Sequence, residues 1–136
     1  TGVTRSAGEI LNVQRTATAD KMEVLIRMRD LCTEALHVLR QGKSLNRFGE
    51  LLHESWQYKR TIVDTISNDA IDDYYERALA AGALGGKLLG AGGGGFLLFY
   101  VEKQNQHRVR EALCNLQELP FHFEPQGSKV IYVSDG

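Results

Sequence analysis

At 136 residues the chain fits one domain, which buries about two-thirds of the surface its unfolded form exposes. Its 16 basic and 17 acidic side chains leave a net charge of −1, without the clustered basic excess expected of a nucleic-acid or membrane-surface binder. No apolar run approaches the roughly 20 residues of a membrane helix, the first residues lack the basic-then-apolar pattern of a secretory leader, and Cys32 and Cys114 have no C-x-x-C spacing. The two cysteines read as reduced thiols packed in a cytoplasmic protein.

Ser6 to Gln14 is predicted as a short helix, with Ile10 and Val13 inward and Arg5 at its N-terminal end. A guanidinium fork suits carboxylates as well as phosphates. Arg5 is therefore a candidate anion contact, its plainer reading being a solvated arginine or one paired across a domain boundary. Ala17 to Asp20 offers a second helix start, followed by Leu25, Met28, Leu31, Cys32, Ala35, Leu36 and Leu39 at spacings of three and four. That is one apolar stripe, ended by Gly42, and Met22 and Met28 are expected to fill core.

Ser44 is a plausible N-cap for the next helix, in which Leu45, Phe48, Leu51, Leu52 and Trp56 repeat. His53, Trp56, Lys59 and Arg60 gather an aromatic and two cations near its end. Exposed, such a group holds an anionic substrate; otherwise Trp56 is core and the cations complement the negative helix terminus. His53 has no partner defined by spacing and reads as a packed or surface residue. Ser67-Asn68-Asp69 signals a third helix, with Ile71, Tyr74, Tyr75, Ala78 and Leu79 as its buried positions. Asp72 and Asp73 are ordinary acidic complements to its N-terminus rather than a metal pair.

Over half of the 14 glycines then fall between Gly82 and Gly95, beside Lys87 and the apolar run Phe96 to Val101. Glycine enters positive φ freely and lets backbone approach a ligand closely, so successive N–H groups can form an anion-binding concavity. A P-loop is excluded because Leu88 follows Gly86-Lys87. Gly90-x-Gly92-x-x-Gly95 satisfies the dinucleotide fingerprint as a string, but that motif follows a strand and opens a helix, whereas here a strand-like run follows. The kinase glycine loop lacks its partner motifs. The reading is a helix, a glycine loop, then a strand buried on both faces. A final helix carries Val109, Ala112, Leu113 and Leu116 and is stopped by Pro120. Phe121 and Phe123 alternate as a half-buried strand, Gln126 to Ser128 turn, and Val130 to Val133 form a last strand.

The string Lys87-Leu-Leu-Gly90-Ala91-Gly92-Gly93-Gly94-Gly95-Phe96 resembles the third motif of the GHMP kinase superfamily. Leu89 stands where many members carry Thr or Ser, and Phe96 where Cys is common. With Trp56, Lys59, Ile66-Ser67-Asn68 and Ile71-Asp72, it is most similar to the sugar-kinase branch that includes the heptose 7-phosphate kinases. The resemblance implies an α+β, ferredoxin-like C-terminal domain over residues 1–136, with an antiparallel sheet covered by helices. It further implies that a separate N-terminal domain, absent from this sequence, binds ATP and Mg²⁺ and carries the catalytic aspartate, so the chain is read as a fragment that is inactive alone.

The implied reaction is transfer of the γ-phosphoryl group of ATP to a hydroxyl of a sugar phosphate. Lys87, Gly90, Ala91, Gly92, Gly93, Gly94, Gly95, Lys59 and Arg5 are the candidate phosphate or substrate contacts, and no residue here is assigned a catalytic or metal-ligating role. The implied partners are ATP, the sugar phosphate and the N-terminal domain. Three alternatives stay open: a galactokinase- or fucokinase-like enzyme, a non-catalytic anion-binding module, and glycines that serve only close packing.

Overall fold

The computed structural model of the chain describes residues 21–62 and 64–125. Arg5, the short helix at 6–14, the helix start at 17–20, the turn at 126–128 and the last strand at 130–133 lie outside these residues.

Helix α1 runs Met22–Gln41 and ends at Gly42, whose φ of 62° reverses the chain. Its inner face is narrower than the expected stripe. Leu31 is buried, and Leu25 and Met28 pack against the core. Met22, Cys32, Leu36 and Leu39 are exposed, which corrects the core role expected of Met22 and the packed setting expected of Cys32. Cys114 is exposed as well, because α1 and the segment after the last helix each contact the fold along one side only.

Helix α2, Asn46–Ile62, begins where Asn46 N–H donates to Ser44 Oγ at 3.3 Å. Arg47 joins it to α1, reaching Glu34 at 2.8 Å, Glu54 at 2.9 Å and Glu50 at 3.0 Å. Each pair is part-exposed and weak alone, but one planar fork shared by three carboxylates fixes the approach of the two helices. Beyond a 3-10 turn at Asp64–Ile66, helix α3 spans Asp69–Ala80, with Asn68 as its N-cap. Asn68 Oδ1 accepts from Ile71 N–H at 3.0 Å, satisfying one of the donors a helix start leaves open.

Between α3 and the glycine loop stands a strand where the sequence reading runs the helix directly into the loop. Strand β1, Ala83–Leu89, pairs antiparallel with β2, Phe96–Val101, so the glycine loop is the tip of a hairpin. Gly85 and Gly86 disfavour helix, and cross-strand pairing decides the matter. A bulge between Ala83 and Gly85 shifts the register, so that Ala83, Gly86 and Leu88 stand opposite Val101, Phe99 and Leu97. These six positions face the core. Without the extra residue the odd spacing from Ala83 to Leu88 would put them on opposite faces.

The principal core joins Trp56, Ile62, Ile66, Ile71, Tyr75 and Leu88. A smaller cluster joins Ala78, Ala83 and Val109, the last from helix α4, Gln106–Ala112. The fold is thus α+β. Two expectations fail here. β2 is only half-buried and Phe96 is 58% exposed, because its Leu98 and Tyr100 face is covered only in part by the start of α2. Phe121 and Phe123 are 56% and 88% exposed and belong to no strand. The chain there leaves α4 through turns well before Pro120, and the two rings pack chiefly on each other, 5.6 Å apart.

Candidate functional site

The hairpin tip is built around backbone that only glycine adopts readily. Gly90, Gly92, Gly93 and Gly95 all have φ between 70° and 117°, and Gly92 and Gly93 are buried. A Cβ on Gly92 would lie 2.9 Å from Ile66 Cγ1, so this glycine serves both dihedral and contact.

The loop is tied down at Gly93. Its N–H donates to Ile66 O at 2.9 Å, and its carbonyl accepts from Asn68 Nδ2 at 3.2 Å. Asn68 therefore works with both ends of its amide, capping α3 and holding the loop. Gly93's N–H is consequently committed to the fold, whereas Gly90 and Ala91 stand at the outer edge of the tip. Sequence reasoning did not assign Asn68 this role. The signal for it was its place in the Ile66-Ser67-Asn68 step.

Behind the loop, Tyr75 of α3 grips β1. Its hydroxyl donates to Gly86 O and accepts from Gly86 N–H, both at 3.2 Å, and lies 3.0 Å from His53 Nδ1. The hydroxyl has one proton; with that proton on Gly86 O, the His53 contact requires the imidazole to donate from Nδ1. Burial pushes the Tyr75 hydroxyl up to about 12, partly offset by the Gly86 bond and by Arg60. His53 is thus a packed residue, its ring stacked 5.9 Å from that of Tyr75. Arg60 pairs with Asp72 at 2.7 Å, and Ser67 Oγ donates to the same carboxylate at 2.6 Å. Arg60 and Asp72 are therefore occupied with each other.

Lys59 and Lys87 differ from Arg60. Both are half-buried, and among the described side chains neither has a carboxylate within ion-pairing reach. They come from different elements. Lys87 shares its strand face with Gly85, where an added Cβ would strike Gly49 O and His53 of α2, and Lys59 lies in the last turn of that helix. The Lys59 ammonium is held below its ordinary value of 10.5, first by burial and then by the charge of Lys87. A helix C-terminus favours a cation by about 0.3–1 kcal/mol, and here that attraction is outweighed. One turn before Lys59, the Trp56 side chain is 1% exposed and its Nε1 has no hydrogen-bond partner. Trp56 is core, as the plainer expectation held, while this corner has donors in excess of acceptors.

The sequence-derived candidates thus divide. Gly90 to Gly95 form one tip, Lys59 and Lys87 a second cluster behind it, and Arg5 lies outside the described residues. Among the described residues no group of three His, Cys, Asp or Glu side chains is placed to hold a metal, and no helix is long and apolar enough to cross a membrane.

A family model described as GHMP kinases C terminal matches residues 17–118. The chain is 30% identical over 141 aligned positions to a D-glycero-alpha-D-manno-heptose 7-phosphate kinase from Campylobacter jejuni, an alignment covering 95% of this chain and 39% of that protein. In three dimensions it is similar to L. major mevalonate kinase in complex with R-mevalonate, with a TM-score of 0.70 at 22% identity, over 84% of this chain and 36% of that one. The chain therefore spans well under half the length of both relatives. Its helices, its glycine-tipped hairpin and the matched span lead to one assignment: this chain belongs to the GHMP kinase family and has the α+β fold of that family's C-terminal domain.

Proposed function

We propose that this chain is the C-terminal domain of an ATP-dependent sugar kinase that phosphorylates a hydroxyl of a sugar phosphate, with heptose 7-phosphate as the acceptor. The observation that carries this reading is the glycine hairpin tip, pinned through Gly93 to Ile66 and Asn68, in a chain whose 30% identity to a heptose 7-phosphate kinase runs over 95% of its length. Phosphoryl transfer relies on positioning and on stabilising charge spread over phosphate oxygens, and a rigid glycine tip can supply backbone donors at close range.

In this reading Gly90, Ala91 and the rest of the loop to Gly95 line the phosphate side of the site, while Lys59 and Lys87 supply cationic charge behind it. ATP brings the phosphoryl group and Mg²⁺ balances its charge. In this reading metal and nucleotide are held mainly by the N-terminal domain of the parent protein. That domain also supplies the catalytic aspartate, and this chain alone is inactive. The working compartment is the cytoplasm.

The test is phosphoryl transfer by the full-length parent, with Mg·ATP and a panel of heptose 7-phosphate, galactose, fucose and mevalonate. Turnover with the heptose phosphate is expected. Turnover with only another acceptor removes the substrate assignment, and no turnover together with no ATP binding removes the kinase reading.

A further inference from the structure

We infer that Lys59 and Lys87 form a subsite for the phosphate group the acceptor already carries, separate from the position of the phosphoryl group being transferred. The inference rests on the sugar-phosphate reading above and adds which charge each part of the site recognises.

The first support is charge balance. Lys87 stands on the β1 face that packs against α2 and Lys59 in the last turn of that helix, so two half-buried ammonium groups face the same side of the fold. No described carboxylate lies within ion-pairing reach of either. The adjacent cation of α2, Arg60, is by contrast neutralised by Asp72. A phosphate monoester carries a charge of about −1.5 to −2 near neutral pH, which matches two lysines without a metal. Nucleotide phosphates in transfer reactions instead share their charge with Mg²⁺.

The second support is spacing. Lys87 lies three strand residues before Gly90, about 10 Å along the strand at the usual rise. That is the order of separation between a terminal phosphate and a hydroxyl at the far end of a phosphorylated sugar. The hairpin thus offers a ruler, with the glycine tip at the reacting end and the lysines at the anchored end. The Tyr75 hydroxyl, bonded to both polar atoms of Gly86, fixes the strand immediately before Lys87 and so sets the ruler's position against α2.

The experiment uses the full-length parent with Lys59→Met, Lys87→Met and Lys59→Arg variants. Calorimetry measures binding of heptose 7-phosphate, of the same heptose without phosphate, and of a non-hydrolysable Mg·ATP analogue. Each Met variant is expected to weaken heptose 7-phosphate by about 30-fold, as for loss of one charge-assisted bond. Binding of the Mg·ATP analogue should stay within about twofold, and Lys59→Arg should recover most of the loss. A Met variant that keeps wild-type affinity for the heptose phosphate, or that loses the nucleotide analogue instead, overturns the subsite. Wild-type protein that binds the heptose phosphate through these lysines but never turns it over would overturn the kinase reading and leave the subsite standing.

Discussion

Lys59 is stabilised in the fold by little besides its helix terminus, and its position works against it. Because burial and Lys87 hold its pKa below 10.5, the unfolded chain binds more protons than the folded one between that lowered value and 10.5. Stability therefore rises with pH across this window, and the cost is present in full below it. Lys59→Met is expected to raise the melting temperature at neutral pH even as it loses anion affinity; a purely structural lysine would show the opposite change in melting. Tyr75 has the reverse sign. Its hydroxyl titrates near 12 rather than 10, so the folded state binds more protons between those values, and the associated stability, about 2–3 kcal/mol, is lost as pH rises through that range. Tyr75→Phe should cost about 1–3 kcal/mol at neutral pH by leaving Gly86 unpaired, and denaturant titrations should show its stability falling less steeply above pH 10 than the wild type.

At the scale of elements, α2 lies so close to β1 that backbone meets backbone. A Cβ on Gly85 would collide with Gly49 O and with His53 N, the latter at 2.8 Å, and neither belongs to a flexible side chain. Gly85→Ala is expected to cost about 3 kcal/mol or more, since the helix must move for the residue to fit. Gly42→Ala makes the contrast: its φ is 62° but nothing lies within 4 Å of the added methyl, so about 1 kcal/mol is expected. The α3 cap belongs to the same scale. Asn68→Ala removes both the bond from Ile71 N–H and the tie to Gly93 O, and should cost about 1–2 kcal/mol. Hydrogen exchange would register the loss of the second tie as faster exchange at Gly93, whose N–H bonds to Ile66 O, while α1 is unaffected.

Across the whole molecule, the hairpin is the part that connects fold to proposed chemistry. Its inner face closes the core through Leu88, Leu97 and Phe99. Its opposite face carries Lys87 toward α2, and its tip carries the glycines. One bulge separates these roles by keeping Ala83 and Leu88 on the same face. The tip also presents an apolar pair, Leu89 and Phe96, 40% and 58% exposed. These residues flank the loop, so under the proposed function substitutions there are expected to alter turnover of the full-length protein more than the stability of this domain.

Much of this was determined by sequence alone, because it depends on short-range periodicity and local backbone chemistry. The 3.6-residue repeats located α1, α2 and α3, Asn68 marked the third helix start, and the dense glycines identified the tip and the family. Lys59 and Lys87 could be named as cations but not brought together, since their sequence separation carries no information about the strand face that joins them. Only the tertiary structure made Ala83–Leu89 a strand, because cross-strand pairing and a one-residue bulge override local preference. It also assigned Arg60 to Asp72 rather than to a substrate, kept Phe121 and Phe123 out of any strand, and exposed about half of the α1 stripe. In each case the deciding quantity was what lies across from the residue, and that is set by packing rather than by spacing along the chain.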